Sequence, residues 1–210
     1  MFNKLLLSSI LNLFILFFCF NAYSADGYIK AAYGVTSQKI DTGDSTHGTD
    51  ITEDWDDEGY EIVIGLMVSE KIASEISYVY LGEGTIKTDN NDQFKINGVN
   101  IDTTGSETIK REVDGFGIGI AALLGGEKGG LNFRAGALGW EATGDKAAKT
   151  SHNAFVNSVL FADGIDPYVG IDVNFKPIGS IIISAGYTSY GLDMFDQDIS
   201  LASAGLGWSF

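Results

Sequence analysis

From Asp26 to Phe210 the chain breaks into segments of about ten residues in which apolar side chains alternate with small or polar ones, and this period of two most narrows the folds open to it. A helix would repeat every 3.6 residues; a strand with two unlike faces repeats every second one. The clearest segment sets Tyr60, Ile62, Ile64 and Leu66 on one face against Glu61, Val63, Gly65 and Met67 on the other. A second sets Phe116, Ile118, Ile120, Ala122 and Leu124 against Gly115, Gly117, Gly119 and Ala121. Six more fall near Gly27 to Ser37, Ile72 to Gly82, Leu131 to Ala142, Ile165 to Phe175, Ser180 to Tyr190 and Asp198 to Phe210, which makes eight.

The connections sharpen this pattern. Short ones at Ser69 to Lys71, Gly125 to Gly130 and Lys176 to Gly179 alternate with longer ones, as in membrane barrels with tight periplasmic turns and long outer loops. A soluble β-sandwich also alternates, so the content of the faces must decide. One face carries large apolar and aromatic side chains, while the other is rich in Gly, Ser and Ala with occasional charges. In water that arrangement would expose the large residues and bury the small ones, the reverse of ordinary burial. Lipid outside and a narrow polar interior account for it. The expected fold is therefore all-β: an eight-stranded antiparallel up-and-down transmembrane β-barrel.

Ahead of the strands, Lys4, the apolar run Leu5 to Phe20 and the small-residue exit Ala22-Tyr23-Ser24 have the layout of a secretory signal. The expected division is a signal peptide over residues 1–24 and a barrel over residues 25–210, integral to the outer membrane of a bacterial cell. Cys19 lies within the signal, so the mature chain has no cysteine and neither a disulfide nor a thiolate site. The formal charge of −15 argues against nucleic-acid binding. Its acids gather in the expected outer loops: Asp41, Asp44, Asp50, Glu53, Asp54, Asp56, Asp57 and Glu58 in the first, Asp89, Asp92, Asp102 and Glu107 in the second. They lack the ligand spacing of a helix-loop-helix calcium site and read as solvated charge, although divalent ions could bridge them to lipopolysaccharide phosphates. No metal or cofactor is expected.

The final segment places Leu206, Trp208 and Phe210 on one face, with Ser203 and Gly205 on the other. Ser203, Gly205, Trp208 and Phe210 look like the assembly signal read by the outer-membrane assembly machinery. With Gly59-Tyr60-Glu61 through Tyr80-Leu81-Gly82, Asn132-Phe133-Arg134-Ala135-Gly136 through Trp140, and Pro167-Tyr168-Val169-Gly170 through Phe210, the chain resembles the OmpA-like transmembrane barrel family over nearly all its mature length. The resemblance implies eight strands with periplasmic turns. Two departures stand out. Nothing after Phe210 supplies the family's peptidoglycan-binding domain, so no cell-wall tether is implied. The family also holds basic residues inside the fourth and seventh strands, where Ala121 and Ser184 stand here, so its interior ion pairs cannot be carried over.

An eight-stranded barrel is just wide enough to be filled by side chains, which disfavours an open pore. Lys30, Glu75, Arg134 and Asp172 are expected inside at one depth, neutralising one another as a plug. A gate opened by the same network is the alternative. Tyr28, Tyr78, Tyr80, Phe175, Tyr187 and Trp208 are the candidates for aromatic girdles at the lipid boundaries, with Tyr28, Phe175 and Trp208 low. The two histidines, His47 and His152, fall in expected loops, and Ser151 beside His152 would point away from it on an extended chain. A lipid-modifying enzyme lacks its nucleophile and base. Two readings of function remain: a structural protein of the envelope in contact with lipid and lipopolysaccharide, or an adhesin whose loops meet a host-surface ligand.

Overall fold

The computed structural model describes residues 26–37, 52–54, 56–88, 93–96, 99–102, 107–126, 128–144, 162–192 and 199–210; side chains are described over 26–37, 57–84, 112–126, 128–143, 163–192 and 199–210. The leader of residues 1–24, His47, Ser151, His152 and, of the acids assigned to the first two loops, Asp41, Asp44, Asp50, Asp89 and Asp92 lie outside the described residues.

Eight long strands follow one another: β1 (Gly27–Ser37), β2 (Asp56–Ser69), β3 (Ile72–Thr88), β4 (Glu107–Gly126), β5 (Gly129–Gly144), β6 (Ala162–Phe175), β7 (Ile181–Tyr190) and β8 (Ile199–Ser209). Each pairs antiparallel with the next, and β1 pairs with β8, so the sheet closes on itself. Closure removes the sheet edges that would otherwise leave backbone amides unpaired in lipid. The seam is tied at the level of Tyr28 against Ser209, where Gly27 N donates to Phe210 O over 2.8 Å and Phe210 N donates to Gly27 O over 2.9 Å.

Tight reversals join β2 to β3, β4 to β5 and β6 to β7 at one end, called here the turn end. The last is made by Pro177 and by Gly179, whose φ of +55° is a conformation that side-chain-bearing residues rarely adopt. At the opposite, loop end, the register of β3 against β4 shifts between Tyr80 and Glu83. Gly82, with φ +82°, forms this bulge, and the Asp57 carboxylate accepts the Glu83 amide beside it. The sequence suggested that β3 stops at Gly82. Instead the glycine bends the strand, and the pair continues to Thr88 opposite Glu107, with Thr52–Asp54 added along Thr85–Lys87. A separate hairpin pairs Gln93–Ile96 with Val99–Asp102.

Outward positions form an apolar wall. Phe116 is 67% exposed, Leu206 65% and Val169 60%. No helix among the described residues is long and apolar enough to cross a membrane. A closed sheet whose outer surface is aliphatic and aromatic has its low-energy surroundings in lipid.

Candidate functional site

The inward positions fall into three tiers. Nearest the turn end, Tyr28, Val63, Ala73, Ala121 and Ile182 pack together, flanked by Met67 and Leu123. Ala121 and Ser184 are both buried inside β4 and β7, so no basic side chain occupies those two places.

The second tier is ionic. Arg134 on β5 is bidentate to Glu61 on β2, with Nη1 donating to Oε2 over 2.8 Å and Nη2 to Oε1 over 2.7 Å. Its Nε donates to Glu75 Oε2 on β3 over 2.7 Å. Lys30 on β1 meets Asp172 on β6 at 2.8 Å, and Asp172 also lies 4.0 Å from Arg134 Nε. The Tyr28 hydroxyl donates to the other oxygen of Glu75. All six residues are buried. Burying ions costs several kcal/mol each unless geometry and hydrogen bonding are nearly complete, and a planar guanidinium fork is the donor that can satisfy two carboxylates together. The structure thus brings together the four expected charges and adds two partners.

Glu61 is one addition. It shares the inward parity of Val63 and Gly65, which was the available indication. Tyr28 is the other, and here the expectation needs correction: at 5% exposure it is no girdle residue. Residues two apart on a strand share a face, so Tyr28 must point inward with Lys30, whose ammonium lies 5.5 Å from its ring centroid.

The third tier, toward the loop end, is apolar and aromatic: Val79, Leu81, Val113, Leu138, Trp140, Tyr168, Tyr190, Leu192 and Leu201 are all buried. This corrects the expectation of an interior made mainly of small and charged residues. The small residues line only part of the wall, and they make room for large ones on neighbouring strands. The Tyr168 ring lies against Gly136, where an added Cβ would come within 2.7 Å of it, and its hydroxyl abuts Gly119. The ring's face is 5.9 Å from the Arg134 guanidinium, a cation–π contact that joins this tier to the ions. Trp140 donates from Nε1 to Asp166 over 2.5 Å, and Gly164 leaves space for its indole.

On the outer surface, Tyr78 and Tyr80 cluster with Tyr60 and Phe116. Tyr60 stacks on Tyr80 with centroids 5.1 Å apart, and Tyr78 meets Phe116 at 5.1 Å. Tyr187, Phe175 and Trp208 each expose about half their surface on the same outer wall, Phe175 and Trp208 near the turn end and Tyr187 nearer the loop end. Trp208 in β8 and Phe210 just after it face outward, while Ser203 and Gly205 are half-buried on the inner side. Among the described residues no group of three His, Cys, Asp or Glu side chains could hold a metal ion.

No family model matches the sequence, and no curated protein matches it. Solved structures do match. Neisserial surface protein A aligns with a TM-score of 0.58 at 13% identity, covering 90% of this chain and 100% of that one. Ail, the attachment invasion locus protein of Yersinia pestis, in complex with the heparin analogue sucrose octasulfate, aligns with a TM-score of 0.53 at 14% identity over 90% of this chain and 100% of that one. Ail without that ligand gives 0.52 at 15% identity, with the same coverage of both chains. The fold is that of a small bacterial outer-membrane barrel. At such identities the likeness concerns architecture, and it agrees with the OmpA-like pattern of strands and turns. In this barrel described side chains occupy the lumen.

Proposed function

We propose that the protein is a non-enzymatic, plugged barrel that serves the integrity of the bacterial outer membrane. In this reading residues 1–24 direct export, residues 25–210 form the barrel, the turn end faces the periplasm and the loop end faces outward. Lipid and lipopolysaccharide surround the apolar wall, with Tyr78, Tyr80 and Tyr187 at the outer boundary and Phe175 and Trp208 at the inner one. The assembly machinery reads Ser203, Gly205, Trp208 and Phe210.

The observation that carries the reading is the Arg134 tier, in which one guanidinium ties β2, β3 and β5 together across the lumen. A pore would need that cross-section free of side chains. The test is planar-bilayer conductance of the refolded barrel together with a gene-deletion phenotype. Absence of ion current and leakiness of the deleted strain to large antibiotics are expected; sustained single-channel current in the wild-type protein would replace the plug with a gate.

A second reading, surface recognition, is favoured by one observation. Beyond the rim, β3 and β4 stay paired from Glu83–Glu112 to Thr88–Glu107, and among the described residues no strand covers the β4 edge over Glu107–Lys110. Loops on a rigid scaffold are where binding usually resides. The heparin analogue seen with Ail does not transfer readily, because Asp57, Glu58, Glu83, Glu112, Asp114, Glu141 and Asp163 ring the loop end, with no Lys or Arg among the described side chains there. That ring of carboxylates would repel a polyanion and favour a neutral or cationic group at the rim itself. Deleting Gly84 to Thr108 and measuring attachment to host cells separates the readings, since only recognition predicts a loss.

A further inference from the structure

We propose that the outer wall carries a lipid site, with an ammonium headgroup seated between aromatic rings and a row of carboxylates at the loop end of β3–β6 and its acyl chain in a recess along β5. The inference rests on the wall's contact with lipid and not on the plugged lumen, so it stands or falls apart from the conductance of the barrel.

The strand registers assemble the headgroup end. Across β4, β5 and β6, Asp114 lies opposite Glu141, and Glu141 opposite Asp163. All three are on the outer face, Glu141 and Asp163 exposed and Asp114 partly so. Like charges directly opposite one another destabilise a sheet. The described Lys and Arg side chains lie in the lumen or at the turn end, too far away to offset these acids. Nor do the three form a group that could hold a metal ion. A positive charge on an organic group answers the arrangement.

The next row of the same face runs from Tyr78 to Phe116, Gly139 and Ile165. Tyr78 and Phe116 meet with centroids 5.1 Å apart and planes tilted by 55°, and the Tyr78 hydroxyl donates to Asp114 over 3.2 Å, which ties the rings to the acids. An ammonium placed there gains a charge-assisted hydrogen bond and a cation–π contact, both stronger where lipid excludes water. A headgroup with a phosphate and no amine would meet only repulsion.

Gly139 opens the recess. An added Cβ there would find only the Phe116 carbonyl oxygen, 3.8 Å away, so the Phe116 ring does not cover it. Ala137 and Ala135 continue this floor toward the turn end, between Ile118 and Ile120 on β4 and Pro167 and Val169 on β6. At the strand rise of about 3.3 Å per residue the floor is roughly 13 Å long. An alkyl chain lying in it buries more apolar surface than one on a flat wall. Ala202 and Ala204 of β8 are small too, but the row above them pairs Ser189 with Ser200 and has no acids. Charge, rings and recess coincide on β3–β6.

The experiment refolds the barrel into vesicles holding equal parts of phosphatidylethanolamine, phosphatidylglycerol and diacylglycerol with the same chains. After release in mild detergent, native mass spectrometry weighs the lipid each barrel retains. Phosphatidylethanolamine should exceed either of the others by about three- to fivefold. Phe116→Leu removes the ring face and keeps apolar bulk, while Asp114→Asn with Glu141→Gln removes charge and keeps shape; each should bring the ratio near one. Gly139→Leu fills the recess and should lower retention of all three lipids. Tyr187→Leu, on β7, should change nothing. All these side chains point to lipid, and gel mobility with and without boiling establishes that each variant is folded. Equal retention of the three lipids by the wild-type barrel would overturn the proposal. So would a loss in Tyr187→Leu equal to that in Phe116→Leu, which would reduce the rings to a general girdle, or a calcium-dependent preference for phosphatidylglycerol, which would make the acids a metal bridge.

Discussion

The ionic tier and the apolar tier of the lumen are equally buried, yet they are held by different physics. Arg134, Glu61 and Glu75 are fixed by direct bonds of 2.7–2.8 Å, each in a set direction. The buried side chains of Leu138 and Leu201 are held by contact area, which is non-directional. Directed bonds specify register, because shifting one strand by a single residue would turn its charge into lipid. Packing adds stability with less discrimination between registers. The ions thus set how the eight strands align, and the apolar side chains fill what that alignment leaves.

If this division holds, the two tiers should fail differently. Arg134→Ala carries the largest expected effect. It strands Glu61 and Glu75 in a sealed interior, and breaking a buried pair from one side typically costs about 3–5 kcal/mol. Urea unfolding in lipid vesicles and the temperature at which the folded form is lost on gels should both fall well below wild type. An unchanged thermal midpoint would mean that the ions are incidental to the fold. Leu138→Ala opens a cavity in the upper tier and should cost about 3 kcal/mol. The cavity is apolar, so the barrel should stay closed to ions in a planar bilayer. Conductance appearing in Leu138→Ala but not in Arg134→Ala would reverse the roles assigned to the tiers.

The same contrast explains what could be read from the sequence. Strand number, order and faces were legible because period-two alternation reports the wall of a barrel directly; β1 spans the residues expected of it, Gly27–Ser37. The tall hairpin was not, because Gly82 reads as a terminator, whereas in the structure it is a bulge that keeps the ladder going. Parity and charge together point to Lys30, Glu75, Arg134 and Asp172, whereas residue type alone sends Tyr28 to the wrong face. Glu61, Trp140 and Tyr168 share inward parity with Val63, Arg134 and Asp172 respectively, so the alternation contained them. What it could not contain was the meeting of a large side chain with a glycine two strands away, such as Tyr168 on β6 with Gly119 on β4. That depends on barrel diameter and stagger, which no local pattern encodes.

The glycines of β4 and β5 offer the finest test of inside against outside, because one substitution made on the two faces of the same strand pair should have opposite results. At Gly119 an added Cβ would collide with the Tyr168 hydroxyl and come within 2.6 Å of the Ala135 carbonyl. Tyr168 is buried with its ring already against Gly136, so Gly119→Ala should cost roughly 1–3 kcal/mol of overpacking and loosen Tyr168 from its cation–π contact with Arg134. At Gly139, on the lipid side, the nearest atom to an added Cβ is the Phe116 carbonyl oxygen at 3.8 Å, ordinary contact. Gly139→Ala removes backbone freedom from the unfolded chain and should be neutral or stabilising by about 0.5–1 kcal/mol. Paired unfolding curves in one lipid measure both. Equal losses at the two positions would mean that glycine is retained in these strands for backbone reasons alone. A loss at Gly119 only means that the buried Tyr168 dictates where the wall must be bare.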